Sequence, residues 1–258
     1  MRKKISIILK ILIIACAFCG VTVGMIFYES DGYSFWYKKL MYFTTQSNLW
    51  IAFYSIIYFV LLIIRKRKGL QGMPKWYYLV HFVLTVSITL TGVVFCSILG
   101  PFAKDDFNAW SASSLLVHVF VPAFAIADFF VAESDFVLTK KHLWFAIIPP
   151  LYYMLYTVVM YLFGIDFGRG VLYSYFFLDY ASPAGFFGFA KADTIYVGTI
   201  YWVIFMLGFI MLLAYIYYIL HPNTKKARKK AKEGKDCDNL VSETSSTLVE
   251  GDSGTSDK

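Results

Sequence analysis

Six stretches of this chain are each long and apolar enough to cross a bilayer as a helix, and no other feature limits its possible folds so tightly. Roughly 20 apolar residues, rising ~1.5 Å each, span the ~30 Å hydrocarbon core. The stretches cover about residues 5–27, 40–64, 76–99, 110–131, 142–163 and 196–220. Gly100-Pro101 ends the third and Pro222 closes the sixth. Hydrophobic residues make up 59% of the 258 and charged residues 16%. A soluble chain carries about a quarter charged residues and could not hide this much apolar surface. Trp and Tyr gather near the stretch ends, as amphipathic rings do at headgroup level. The expectation is an all-α integral membrane protein. Residues 1–222 should form a six-helix transmembrane bundle, and the tail 223–258 is too poor in apolar residues to fold.

The net charge of +7 is concentrated at stretch ends. Arg2, Lys3 and Lys4 precede the first stretch, Arg65–Lys68 and Lys75 follow the second, and a basic run from Lys225 to Lys235 follows the sixth. The positive-inside rule then puts both termini in the cytoplasm, which agrees with an even number of crossings. The neutral loop with Glu133, Asp135, Lys140 and Lys141 adds nothing to the bias. The basic tail suits anionic lipid headgroups, and no nucleic-acid partner is implied. Ile13-Ile14-Ala15-Cys16 loosely resembles a lipoprotein cleavage box, and cleavage there would leave five crossings. The apolar run continuing to Phe27 favours an uncleaved helix. Cys16, Cys19 and Cys96 lie in apolar stretches and Cys237 in the tail, with no metal or disulfide spacing, and read as packing residues. Residues 164–195, rich in Phe, Tyr and Gly, are too apolar for a free loop and should lie in the interface or fold back over the bundle.

Polar side chains within the stretches carry the most information, because each needs a partner there. Thr44, Ser47, Asn48 and Ser55 share one helix face, as do Ser111, Ser114 and His118. The third stretch adds Thr85, Ser87, Thr89 and Thr91. These stripes should face one another inside the bundle. Thr44 lies ~30 Å from the inner end of its helix, and His118 ~12 Å inward from Trp110, so both fall in the outer half. His81 falls near the inner face. A neutral histidine in a dry site can take a proton from a hydroxyl and make Thr or Ser a nucleophile for acyl transfer. The simpler reading is interhelical hydrogen bonding at about 0.6 kcal/mol each. Asp128 should pair with a basic loop residue, and Lys10 should snorkel toward the inner headgroups. Asp166 and Asp179 face water or, if their segment folds back, orient His118.

Three blocks resemble a known family. They are Tyr42-Phe43-Thr44-Thr45-Gln46-Ser47-Asn48, His118 with Pro122 and Asp128, and Tyr175-Phe176-Phe177-Leu178-Asp179. In this order they resemble bacterial six-helix membrane proteins related to the androgen-induced protein and the androgen-dependent TFPI-regulating protein of animals. The animal members are threonine hydrolases that cleave fatty acid esters of hydroxy fatty acids. The resemblance implies a Thr44 nucleophile and a His118 base. Phe176 stands where the family has proline, and His118 is single where the animal proteins have two histidines. Thr45 follows directly, so the nucleophile is open between Thr44 and Thr45.

The leading expectation is an intramembrane hydrolase of lipid esters, with Asn48 or Ser47 stabilising the oxyanion and no metal or cofactor. The alternative is non-enzymatic: a small transporter, lipid-binding or scaffold protein whose polar stripes line a pathway.

Overall fold

Among the described residues, six helices are long and apolar enough to cross a membrane: α1 (Arg2–Ile26), α2 (Phe43–Arg67), α3 (Lys75–Leu99), α4 (Ala112–Val131), α5 (Lys140–Leu162) and α6 (Thr199–Leu220). They come from a computed structural model that describes residues 1–101, 110–134, 136–191, 195–227 and 229–230. The protein is an all-α integral membrane protein, with helix bounds within about three residues of those read from the sequence.

Most of α3 is buried, and it forms the centre of the bundle. Phe82, Val86 and Ile88 are fully enclosed, and Thr85, Ser87, Thr89 and Thr91 are buried with them. These four hydroxyls lie on the part of α3 enclosed by neighbouring helices, whereas Val80, Val93 and Cys96 are exposed. Three of them bond back to the preceding turn, Ser87 to the Val83 carbonyl at 2.9 Å, Thr89 to that of Thr85 at 2.7 Å and Thr91 to that of Ser87 at 3.4 Å, while Thr85 Oγ1 is buried without a hydrogen-bond partner. Helix α1 packs against α4 and α2, and α4 also packs on α3. Helix α5 packs on α6 through residues 140–147, a 3₁₀ segment, and diverges from it beyond Pro149-Pro150.

Both ends of the chain's helical part lie at one end of the bundle. The Arg2 guanidinium reaches the Phe130 carbonyl at 3.4 Å, and the Leu138 amide donates to Thr224 Oγ1 at 3.0 Å. Residues 222–227 are helical and Thr224 is buried, so the first turn of the expected unfolded tail is part of the structure. Cys237 lies outside the described residues. Cys19 and Cys96 are exposed on the outside of the bundle and do not pack in its core.

The segment between α5 and α6 folds back over the opposite end. Asp166 and Phe167 dock on the 3₁₀ helix Trp36–Met41 that leads into α2: Lys38 Nζ donates to the Asp166 carbonyl at 2.6 Å, and Tyr42 donates to the Phe167 carbonyl at 3.2 Å. Gly168 takes φ +100°, and a Cβ there would come within 2.7 Å of both Lys38 and Tyr33, so only glycine fits this turn. A short 3₁₀ turn (Phe176–Leu178) and a two-stranded antiparallel ribbon, β1 (Phe189–Lys191) with β2 (Ile195–Val197), complete the cover.

Candidate functional site

Two facing helices depart from α geometry at the same level. Phe95–Leu99 at the end of α3 and Leu116–Phe120 in α4 are π turns. Widened turns of this kind often occur at functional sites. The α4 turn has a local cause. The Val121 amide donates to the Leu116 carbonyl, and Pro122 has no N–H, so nothing within the helix reaches the Val117 carbonyl. Asn48 Nδ2 supplies the missing donor at 3.0 Å across the helix interface, and also bonds the Thr44 carbonyl at 2.8 Å. The neighbouring helices crowd this turn closely. A Cβ at Gly20 would lie 2.7 Å from Val117 Cγ1, and one at Gly92 would lie 3.0 Å from Pro122 and 3.1 Å from the His118 carbonyl.

His118 is held from two sides. Its ring stacks on Phe95, with centroids 3.6 Å apart, and its Nδ1 is 2.8 Å from the Ser114 carbonyl. A carbonyl only accepts, so that bond requires the proton on Nδ1 and leaves a lone pair on Nε2. Ser114 Oγ lies 3.1 Å from the same Nδ1.

Thr44 sits in the first turn of α2 and is buried. Its amide donates to the Tyr175 phenol oxygen at 3.3 Å, and its Oγ1 lies 3.1 Å from the same atom. Tyr175 arrives from the segment that folds back, its ring stacked on Phe177 and edge-on to Tyr42. Burial pushes its phenol up to about 12, against the opposing hydrogen bonds from Thr44, so it carries its proton at neutral pH.

Thr44 and His118 line one polar cavity of about 350 Å³, together with Thr45, Ser114, Phe95 and Tyr175. Asp31, Lys39 and Arg169 stand on its wall as well. Lys39 forms an ion pair with Asp31, and the Arg169 guanidinium lies 4.6 Å from the Tyr33 ring centre. On the other side of Thr44 is a smaller apolar cleft of about 90 Å³ between α3, α5 and α6, lined by Phe43, Leu90, Pro150, Trp202 and Met206. Thr44, Leu99 and Tyr175 belong to both walls.

The expected polar stripes meet where Ser47 Oγ and Thr91 Oγ1 lie 3.0 Å apart. Other expectations need correction. Both amide protons of Asn48 are committed to backbone carbonyls, and Ser47 bonds the Thr44 carbonyl at 3.0 Å, so neither faces either cavity as an oxyanion donor. Asp179 accepts from the Ala181 amide at 3.0 Å and lines neither cavity, and Asp166 pairs with Lys38, so His118 is oriented by Ser114 instead. Burial alone would raise the Asp166 carboxyl, but the Gly168 amide at 2.5 Å and the Lys38 ammonium outweigh it and hold it below its ordinary value.

Lys10 does not snorkel, and Asp128 does not pair with a loop. Both are 1% exposed and form an ion pair with each other. Ser6 donates to Asp128 at 2.5 Å, and His81 Nε2 lies 3.3 Å from the same carboxylate. This network joins α1, α3 and α4 away from both cavities. Tyr175 was visible in the sequence as part of a motif but without a role. That Lys39 and Arg169 line one cavity gave no local signal, because it depends on the docking of two segments distant in the chain. The chain matches no protein-family model, no curated protein and no solved structure.

Proposed function

We propose that this protein hydrolyses lipid esters within the membrane, of the type in which a fatty acid esterifies a hydroxy fatty acid, with Thr44 as nucleophile and His118 as general base. The observation that carries this reading is the position of Thr44: it shares the polar cavity with His118 and forms the boundary with an apolar cleft. An ester placed at that boundary has an apolar chain on one side and its oxygen-rich part on the other. The divergence of α5 and α6 gives the chain a lateral way in from the bilayer. Asp31, Lys39 and Arg169 together give the wall of the polar cavity one net positive charge, which suits the free carboxylate of a hydroxy fatty acid.

The unprotonated Nε2 of His118 takes the Thr44 proton, Oγ1 attacks the carbonyl carbon, and the same proton later goes to the leaving alkoxide. Water then hydrolyses the acyl-threonine. The resemblance to the androgen-induced family, carried by the Thr44, His118 and Tyr175 blocks, points the same way. The positive-inside rule applied to the basic segments supports cytoplasmic termini and a site in the outer half of a bacterial cytoplasmic membrane.

Labelling of the purified protein by a lipid-like fluorophosphonate tests the proposal. Wild type and Thr45→Ala should label, and Thr44→Ala and His118→Ala should not. Loss at Thr45 alone moves the nucleophile by one residue. A folded wild type that never labels ends the hydrolase reading in favour of a lipid-binding or scaffold protein.

A further inference from the structure

Acyl transfer by Thr44 needs a donor for the carbonyl oxygen that gains charge during attack. Asn48 and Ser47 are turned to backbone carbonyls. Among the described residues, the polar side chain that touches Thr44 Oγ1 and lines both cavities is Tyr175, whose phenol oxygen is 3.1 Å from Oγ1 and 3.3 Å from the Thr44 amide nitrogen. The geometry points to Tyr175 as a catalytic residue of this site, the oxyanion donor, an assignment that rests on the hydrolase reading above.

Before attack the phenol oxygen accepts from the Thr44 amide; either hydroxyl can donate in the 3.1 Å contact with Oγ1, and the proposed role takes Tyr175 as the donor. That arrangement leaves the Thr44 proton for His118. As the Oγ1–carbon bond forms, the carbonyl π pair moves onto oxygen, and Oγ1 becomes an ester-type oxygen and a poorer acceptor. The Tyr175 proton then swings to the neighbouring oxyanion. Its hydrogen bond changes from one with a neutral oxygen to one with a charged oxygen, which is stronger in the transition state than in the ground state. Collapse returns the pair to the carbonyl, breaks the bond to the alkoxide, and sends the His118 proton to that alkoxide. Tyr175 ends as it began, protonated. The ring is held for this role by stacking on Phe177 at 5.2 Å and by the edge of Tyr42 at 5.8 Å, contacts that Phe would keep.

The test measures 4-nitrophenyl palmitate hydrolysis by the full-length protein in nanodiscs, comparing wild type, Thr44→Ala and Tyr175→Phe. Removing one oxyanion donor typically lowers kcat by about 100-fold or more. Tyr175→Phe should show that loss with KM changed by less than about twofold, a split that follows from a contact made only in the transition state. A kcat within about threefold of wild type, in a preparation where Thr44→Ala is inactive, overturns the assignment and leaves the hydrolase standing. An inactive and unlabelled wild type overturns both. Should Tyr175→Phe fail to fold, a more acidic fluorinated tyrosine at position 175 retains the ring and hydroxyl. The alkaline fall in kcat should then move to lower pH, because the donor is lost once the phenol ionises. An unmoved profile overturns the assignment.

Discussion

Asn48 illustrates how one side chain can decide the shape of a site without joining its chemistry. Pro122 removes the donor that the Val117 carbonyl would otherwise meet, and Asn48 replaces it from another helix. Its Oδ1 is buried without a hydrogen-bond partner, a state tolerated because two carbonyls need the amide protons. Asn48→Leu should leave the Val117 carbonyl unpaired, at a cost of about 1–3 kcal/mol. Unfolding by steric trapping in bicelles would measure it, and a loss below about 0.5 kcal/mol would show that the turn does not depend on Asn48. The sequence placed Asn48 on the right helix face but not in the right role. The direction of its amide depends on a π turn 69 residues away.

Between elements, the Lys10–Asp128 pair with Ser6 and His81 links α1, α3 and α4. Lys10 also lies 4.8 Å from the Tyr58 ring centre, so α2 shares the arrangement with α1, α3 and α4. Removing one partner of a buried pair strands the other charge, typically at about 3–5 kcal/mol, whereas replacing both by apolar groups is often nearly neutral. Lys10→Met and Asp128→Leu should each be strongly destabilising, and the double variant should lose much less than their sum. Additive losses in thermal unfolding would mean that the two residues act separately. Close approach at Gly20 and Gly92, where a Cβ would meet Val117 and Pro122, lets α1 and α3 lie close to α4.

Across the whole molecule, the segment between α5 and α6 matters as much as the helices. It brings Tyr175 to Thr44, and it contributes Arg169, Ser174 and Tyr175 to the wall of the polar cavity. The opposite wall of Thr44 opens to the gap where α5 and α6 diverge. If the acyl chain occupies this gap, filling it should alter chain-length preference and leave the chemistry intact. Met206→Trp should lower the ratio of long-chain to short-chain ester turnover by about tenfold or more, within what pocket shape can supply. An unchanged ratio, with both rates measured, would place the acyl chain elsewhere.

The sequence alone determined the six crossings, their bounds within a few residues, the buried polar faces, and the candidacy of Thr44 and His118. These properties are local: apolar length and helical spacing are written in neighbouring residues. Tertiary structure alone decided that Thr44 meets Tyr175, that Asn48 serves a backbone carbonyl, and that Lys10 is buried against Asp128. These partners are 131, 69 and 118 residues apart. A polar group inside a bundle bonds whatever packing brings within reach, and packing is a property of the whole chain.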